Sequence, residues 1–295
     1  MGPGSIRGED KHMRRMLVLF ALLGTLLVVA VPASAITDGE LDGNGHPYVG
    51  LMLAKSAAGE PLWRCSGTLM SERVFLTAGH CTEAPAAGIE IFFAPGPIQV
   101  DPNYVSVARG GSGCANTAVT GYPCHGDVGG TPYTHPQYDP NAFYRFDLGV
   151  VVLDRPHPMA AYGALPQQDV LDRLKTKRGT QDVTFTAVGY GLQKAFPDAA
   201  SWKTQADRVR MVAHPRLIQI NTGFTGDGSL LLSNNASTGG TCFGDSGGPN
   251  FVGASNVVAG VTSFGLNGTC GGTGGVYRVD RADDLGWLST FGLAP

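Results

Sequence analysis

Apolar positions in this chain come in short runs. Tyr48–Leu53, Gly67–Met70, Arg73–Leu76 and Gly88–Phe93 each hold a few, and Gly, Pro or Ser interrupts them at close spacing. Val183–Val188, Arg208–Val212 and Leu217–Ile220 repeat the pattern in the second half, and Ser106–Ala108 is a weaker case. Short strands with frequent turn residues and no long 3.6-residue period predict an all-β barrel or sandwich. Residues 109–131, 193–207 and 222–239 read as loops between the runs.

One apolar run is different. Met16–Val31 follows Arg14-Arg15 and ends at Ala33-Ser34-Ala35, a small-residue cleavage pattern. A charged start, a short apolar core and A-x-A predict a secretory signal peptide with an N-terminal extension over 1–35, hence a secreted protein. The run is short for a membrane span, and an uncleaved anchor is the alternative. Met13 is a second candidate start.

The 295 residues, 15% of them charged, suffice for two packed domains. The formal net charge is −3, and −5 once residues 1–35 are removed. No Lys/Arg cluster stands out, so nothing argues for nucleic acid or an anionic membrane as partner. Six cysteines lie beyond residue 35, an even number that predicts three disulfides in an exported chain. Six cysteines allow 15 pairings, and spacing alone does not choose among them.

The candidate chemistry sits in Gly244-Asp245-Ser246-Gly247-Gly248-Pro249. A serine hydroxyl needs a base beside it and a place for an oxyanion to form. Gly244 and Gly247 let backbone N–H groups face a substrate carbonyl with no side chain in the way. The stretch also satisfies G-x-S-x-G, whose α/β-hydrolase owners place the histidine after the serine. The seven histidines are His12, His46, His80, His125, His135, His157 and His214, and none follows Ser246. The base must lie upstream. His80 in Thr77-Ala78-Gly79-His80-Cys81 is the candidate, with Asp147 in Asp147-Leu148-Gly149-Val150-Val151-Val152-Leu153 as the acid.

These three motifs, in the order His80, Asp147, Ser246, resemble those of the trypsin/chymotrypsin family of secreted serine endopeptidases. The resemblance runs from Ile36 to the end of the chain. It implies two six-stranded antiparallel β-barrels of chymotrypsin type, over 36–160 and 161–295, with a short C-terminal helix at Asp283–Leu288. It implies a catalytic triad of His80, Asp147 and Ser246, with Gly244 and Ser246 N–H groups as the oxyanion hole. Ser263 is expected to hydrogen-bond Asp147. His135, in a His-Pro-x-Tyr segment, takes a structural role. The same resemblance pairs Cys65 with Cys81 and Cys242 with Cys270, which leaves Cys114 with Cys124.

Ile36-Thr37-Asp38-Gly39 resembles the family's mature start, so Ile36 is expected to pair through its amine with Asp245. Thr37 and Asp38 depart from the family's Val and Gly. The specificity pocket is expected to involve Gly240, Thr241, Ser263, Phe264, Gly265 and Gly275. Gly240 stands where a trypsin-like enzyme has Asp, so a large apolar residue before the cut bond is expected, with a small residue as the alternative. No cofactor or metal is implied. The expected partner is a protein or peptide substrate, and the expected state a monomer. A protein-binding module using the same cleft and an esterase are the competing functions.

Overall fold

The computed structural model describes residues 36–175, 182–193 and 207–295. The expected signal peptide, and residues 194–206 of the expected loop, lie outside the described residues.

The first set of apolar runs closes into a barrel. It is built from β2 (Val49–Lys55), β3 (Pro61–Ser71), β4 (Val74–Thr77), β5 (Gly88–Phe92), β6 (Val128–Thr134) and β7 (Gly149–Leu153), in the order β2-β3-β4-β7-β6-β5. All neighbours are antiparallel, and closure leaves no edge strand exposed. Short strands suit this because each needs only one buried face, filled here by Phe75, Leu69, Ile91 and Val151. A Cβ at Gly67 would lie 2.3 Å from the Phe75 ring, so glycine is what lets that ring fill the barrel.

The second sheet holds β1 (Glu40–Leu41), β8 (Phe185–Gly189), β9 (Met211–Ala213), β10 (Leu217–Ile220), β11 (Ser229–Asn234), β12 (Pro249–Val252), β13 (Val258–Gly265) and β14 (Gly272–Arg278). Its order is β1-β9-β8-β12-β13-β14-β11-β10. Strands β9 and β10 act as two halves of one bent strand, the first pairing with β8 and the second with β11. Pro215 lies at the bend and has no N–H to give a ladder. A bridge between Thr184 and Arg216, with Phe185 N–H donating to Pro215 O, carries β10 back to β8. Six strands thus form a second ring. The C-terminal helix, Ala282–Ser289, begins with Asp283 and Asp284 in its first turn and buries Leu285 and Leu288. Acidic side chains there complement the partial positive charge of a helix N-terminus.

Three readings need correction. Ser229–Asn234 is a strand, not loop: Leu230 and Leu232 are buried, but their glycine- and threonine-rich flanks mask them in the sequence. Val128–Thr134 is likewise a strand at the end of the expected 109–131 loop. Val107–Arg109 is a 3₁₀ turn rather than a strand, ended by Gly110 at φ +77°. Disulfides join Cys65–Cys81, Cys114–Cys124 and Cys242–Cys270. Among the described residues no helix is long and apolar enough to cross a membrane.

A buried arginine holds the N-terminal segment to both barrels. Arg210 donates to Asp42 Oδ2 at 2.8 Å, to the carbonyls of Val49 and Phe93 at 3.1 and 3.0 Å, and to Asn44 Oδ1 at 3.1 Å. His46 adds its ring Nδ1 at 2.5 Å from Asp42 Oδ1. Burial pushes the Asp42 carboxyl up, but the hydrogen bonds from His46 and Arg210 outweigh it and hold it below the usual range. Removing one partner of a buried pair strands the other charge, at a cost of about 3–5 kcal/mol. Arg210→Met is therefore expected to lose about that much stability in urea unfolding. The Asp42 contribution is present above the ordinary aspartate value near 3.9 and is lost as pH falls through its lower folded value.

Candidate active site

Asp147 stands two residues before β7, fully buried, and must be hydrogen-bonded to remain charged there. Its Oδ1 accepts the backbone N–H of His80 at 2.9 Å. The His80 ring Nδ1 lies 2.9 Å from Oδ2 and 3.1 Å from Oδ1. The Ser263 hydroxyl donates to Oδ2 at 2.5 Å, as expected for that residue. His80 belongs to a four-residue helix, Gly79–Thr82, that follows β4, whereas Ser263 belongs to β13 of the second sheet. Phe146, just before Asp147, takes a left-handed φ of +52° and stacks on buried His135 at 5.2 Å. That is the structural role of His135, and burial pushes its imidazole pKa down.

Burial also pulls the His80 imidazole down, but the charge and hydrogen bond of Asp147, with Glu83 beyond, outweigh it and hold its pKa above the ordinary histidine value. With Nδ1 committed to Asp147, Nε2 is the nitrogen left for chemistry. His80 and Ser246 line one cleft of about 310 Å³, together with Trp63, Arg64, Leu192 and Gly244. No hydrogen bond joins the Ser246 hydroxyl to the imidazole among the described contacts. Resting sites often hold that contact long.

The loop around Ser246 is fixed by close approaches. Gly244 has φ +95° and Gly247 φ +76°, both left-handed values that glycine adopts without strain. A Cβ on Gly247 would meet Thr77 Oγ1 at 2.0 Å. Gly247 N–H donates to Thr262 O, and Ser66 N–H to Ser246 O, each at 2.7 Å. The N–H groups of Gly244 and Ser246 donate to no acceptor among the described residues. Ser66 is a residue the sequence reading missed. Its hydroxyl donates to Gly244 O at 2.9 Å and accepts Tyr190 N–H at 3.0 Å, so it holds the loop to β3. Its position beside Cys65 was the only signal.

Asp245 is wholly buried, and its carboxylate accepts Gly191 N–H at 2.7 Å and Cys242 N–H at 2.9 Å. Burial pushes it up to about 7, against those two donors and the field of Arg64. Ile36 is buried among Ala187, Met211 and Ala213. The next residue, Thr37, bridges to Gly240, whose N–H donates to Thr37 O at 3.0 Å.

Ser246 also lines a second cavity, of about 400 Å³. Thr241, Ser263, Phe264 and Gly265 line it as expected, with Phe243 and Leu266 in addition. Among the described residues no charged one lines it. Gly240 and Gly275, expected in the pocket, are not among its lining residues. A Cβ on Gly240 would lie 2.3 Å from Asn234 Cγ, and one on Gly275 would lie 2.4 Å from the Phe264 ring. Phe264 and Gly275 are direct cross-strand partners, so the ring packs over the bare glycine and the slot is not open there. Among the described residues one group could approach a metal, Cys65, His80 and Cys81, and its two sulfurs are joined as a disulfide.

Two antiparallel barrels with these groups at their junction define the class of the serine-protease fold. The chain belongs to the trypsin family, whose model matches residues 40–284. It is 27% identical over 263 residues to CLIP domain-containing serine protease B14 of Anopheles gambiae, covering 82% of this chain and 68% of that protein. It is 26% identical over 265 residues to phenoloxidase-activating factor 3 of Holotrichia diomphalia, covering 84% and 70%. The solved structure of HL collagenase superposes with a TM-score of 0.63 at 18% identity, covering 88% of this chain and all (100%) of that one. The structure of HBP gives 0.55 at 16%, covering 88% and 98%. These two likenesses establish the fold.

The electrostatics give a test that needs no substrate. In Ser246→Ala, the His80 imidazole is expected to titrate above the ordinary value near 6.5, followed by NMR. Glu83→Gln should move it down, because a carboxylate that favours the imidazolium is gone.

Proposed function

We propose that the mature chain is a secreted serine endopeptidase that cuts peptide bonds through an acyl-enzyme on Ser246. The observation that carries this reading is the Asp147 carboxylate, held between His80 and Ser263 and presenting the imidazole to the cleft that Ser246 lines. Asp147 fixes the tautomer of His80 and stabilises the imidazolium that forms. His80 takes the Ser246 proton as the hydroxyl attacks the carbonyl. The unpaired N–H groups of Gly244 and Ser246 receive the oxyanion. His80 then protonates the leaving amine, and water, deprotonated by His80, releases the acyl group. The relative named as a serine protease supports the same reaction class.

The uncharged cavity supports cleavage after apolar residues. The Phe264 ring over Gly275 shortens the slot, which favours the smaller apolar side chains over Phe and Tyr. For maturation, Ile36 is the residue proposed to supply a new amine to Asp245 after cleavage at Ala35. Its burial and the Thr37–Gly240 bridge support that.

The reaction is tested by fluorophosphonate labelling read by intact mass. A single adduct is expected, absent in Ser246→Ala. Absence of an adduct on a folded chain beginning at Ile36 would favour a protein-binding role for the cleft. Ester turnover without amide turnover would favour an esterase. Asp147→Asn is expected to lower kcat by about 10⁴, the size seen for this triad in chymotrypsin-type enzymes. In a peptide series varied before the cut, Ala and Leu should exceed Lys, and Phe264→Ala should raise the rate for Phe relative to Ala.

The maturation step has a thermodynamic signature. An aspartate raised to about 7 in the fold stabilises fully below its ordinary value, and that contribution is lost as pH rises through about 7. A paired ammonium would hold the carboxylate charged and remove the loss. Between pH 5 and pH 8, a Ser246→Ala chain beginning at Ser34 should therefore lose more stability in urea than one beginning at Ile36. Equal losses would count against the pairing.

A further inference from the structure

Arg64 has no role in the chemistry above, yet it lines the same cleft as His80 and Ser246. It lies in β3, one residue before the disulfide-bonded Cys65. Its Nε and Nη2 sit 3.3 and 3.7 Å from where a Cβ on Gly244 would be, so the guanidinium lies against that glycine. The side chain is half-buried, and burial pulls its pKa down. Among the described residues it makes no hydrogen bond and no ion pair within 4 Å.

The charged and titratable groups that it feels are few. Asp245 and the Tyr122 hydroxyl favour its charge, while Arg208 opposes it. The Asp245 oxygens are already taken by Gly191 and Cys242 N–H groups. Arg208 lies over the Tyr122 ring at 5.2 Å, a second cation near the first. A half-buried guanidinium with five donors and no acceptor is an incomplete arrangement. It suits a ligand that brings a carboxylate.

The two cavities that meet at Ser246 give the direction. The uncharged one, lined by Thr241, Phe264 and Gly265, takes the residue before the cut bond. The residues after the cut must leave on the opposite side, past His80, which protonates the departing amine. That side is the cleft lined by Trp63, Arg64 and Leu192.

We infer that Arg64 makes this cleft a subsite for the leaving peptide that selects a carboxylate within the first two residues after the cut bond. The carboxylate is an Asp or Glu side chain, or the free C-terminus of a short leaving group. A planar guanidinium takes either one in a two-point hydrogen bond. Lysine or arginine at the same place meets the charge of Arg64 and is rejected.

This inference rests on the serine endopeptidase reading, and the experiment separates the two. Active sites are first counted by fluorophosphonate labelling, and rates are expressed per labelled site. Amidated peptides with one apolar residue before the cut then carry Glu, Gln or Lys at the second position after it. A fourth peptide carries Gln there and ends at that residue with a free carboxylate. At low salt kcat/KM is expected to favour Glu over Lys by about tenfold or more, and 0.5 M salt should narrow the ratio. A high rate for the fourth peptide relative to amidated Gln identifies the C-terminal carboxylate as a source, and a low one restricts the source to side chains.

Arg64→Gln should bring the Glu-to-Lys ratio near one, and Arg64→Glu should invert it. Because the readout is a ratio, a general loss in either variant cancels. A ratio near one in the fully labelled wild type, or one that persists in Arg64→Gln, overturns the inference alone. Failure to label overturns the reading on which it rests.

Discussion

A carboxylate can stay charged inside a protein only if fixed donors replace the hydrogen bonds that water would have given it. Asp147 meets that condition, and the rest of the site follows from how. Its donors come from both halves of the fold: the His80 backbone and ring from the first barrel, the Ser263 hydroxyl from β13 of the second. The barrels cannot shift relative to one another without leaving the charge under-satisfied. The same interaction that fixes the imidazole therefore also fixes the junction in which Ser246 stands.

The apolar cores supply bulk stability but little position. Position comes from polar groups at the seam, each serving two elements. Ser66 links β3 to the Gly244 carbonyl and to Tyr190. Arg210 links the arm at Asp42 to carbonyls at Val49 and Phe93. Asp245 links the loop before Ser246 to Gly191. The loop thus reaches a conformation with two left-handed glycines and two N–H groups that meet no acceptor among the described residues. Charged pairs out of water add little net stability, but breaking one is costly, which favours specificity of arrangement.

What was legible in the sequence was what chemistry forces into local motifs. Gly244 and Gly247 are legible because the loop needs φ values and contacts that a Cβ forbids. The histidine order excluded one hydrolase class because no histidine follows Ser246. Features made by side chains arriving from elsewhere were not legible. Gly240 and Gly275 were expected in the pocket, yet Asn234 and Phe264, arriving from other positions on the sheet, occupy the space beside them. β11 was hidden because its three consecutive leucines alternate in burial only weakly and lie between glycine- and threonine-rich turns. Ser66 and Arg64 belong to no spacing pattern, so only their neighbours in space reveal them.

Thr37, which departs from the family's residue at the proposed mature start, acquires a physical meaning from Asn234. Its Oδ1 accepts the Thr37 hydroxyl at 2.8 Å, while its Nδ2 donates to Thr241 O at 2.7 Å. The side chain that fills the space beside Gly240 is thus also what holds the second residue of the proposed mature terminus. A valine at 37 would offer no hydroxyl and would leave Asn234 Oδ1 without that donor. One amide thus joins the N-terminal segment at Thr37 to Thr241, which lines the cavity beside Ser246. A change at Asn234 therefore removes a hydrogen bond from the segment after Ile36 and from the backbone of Thr241 together.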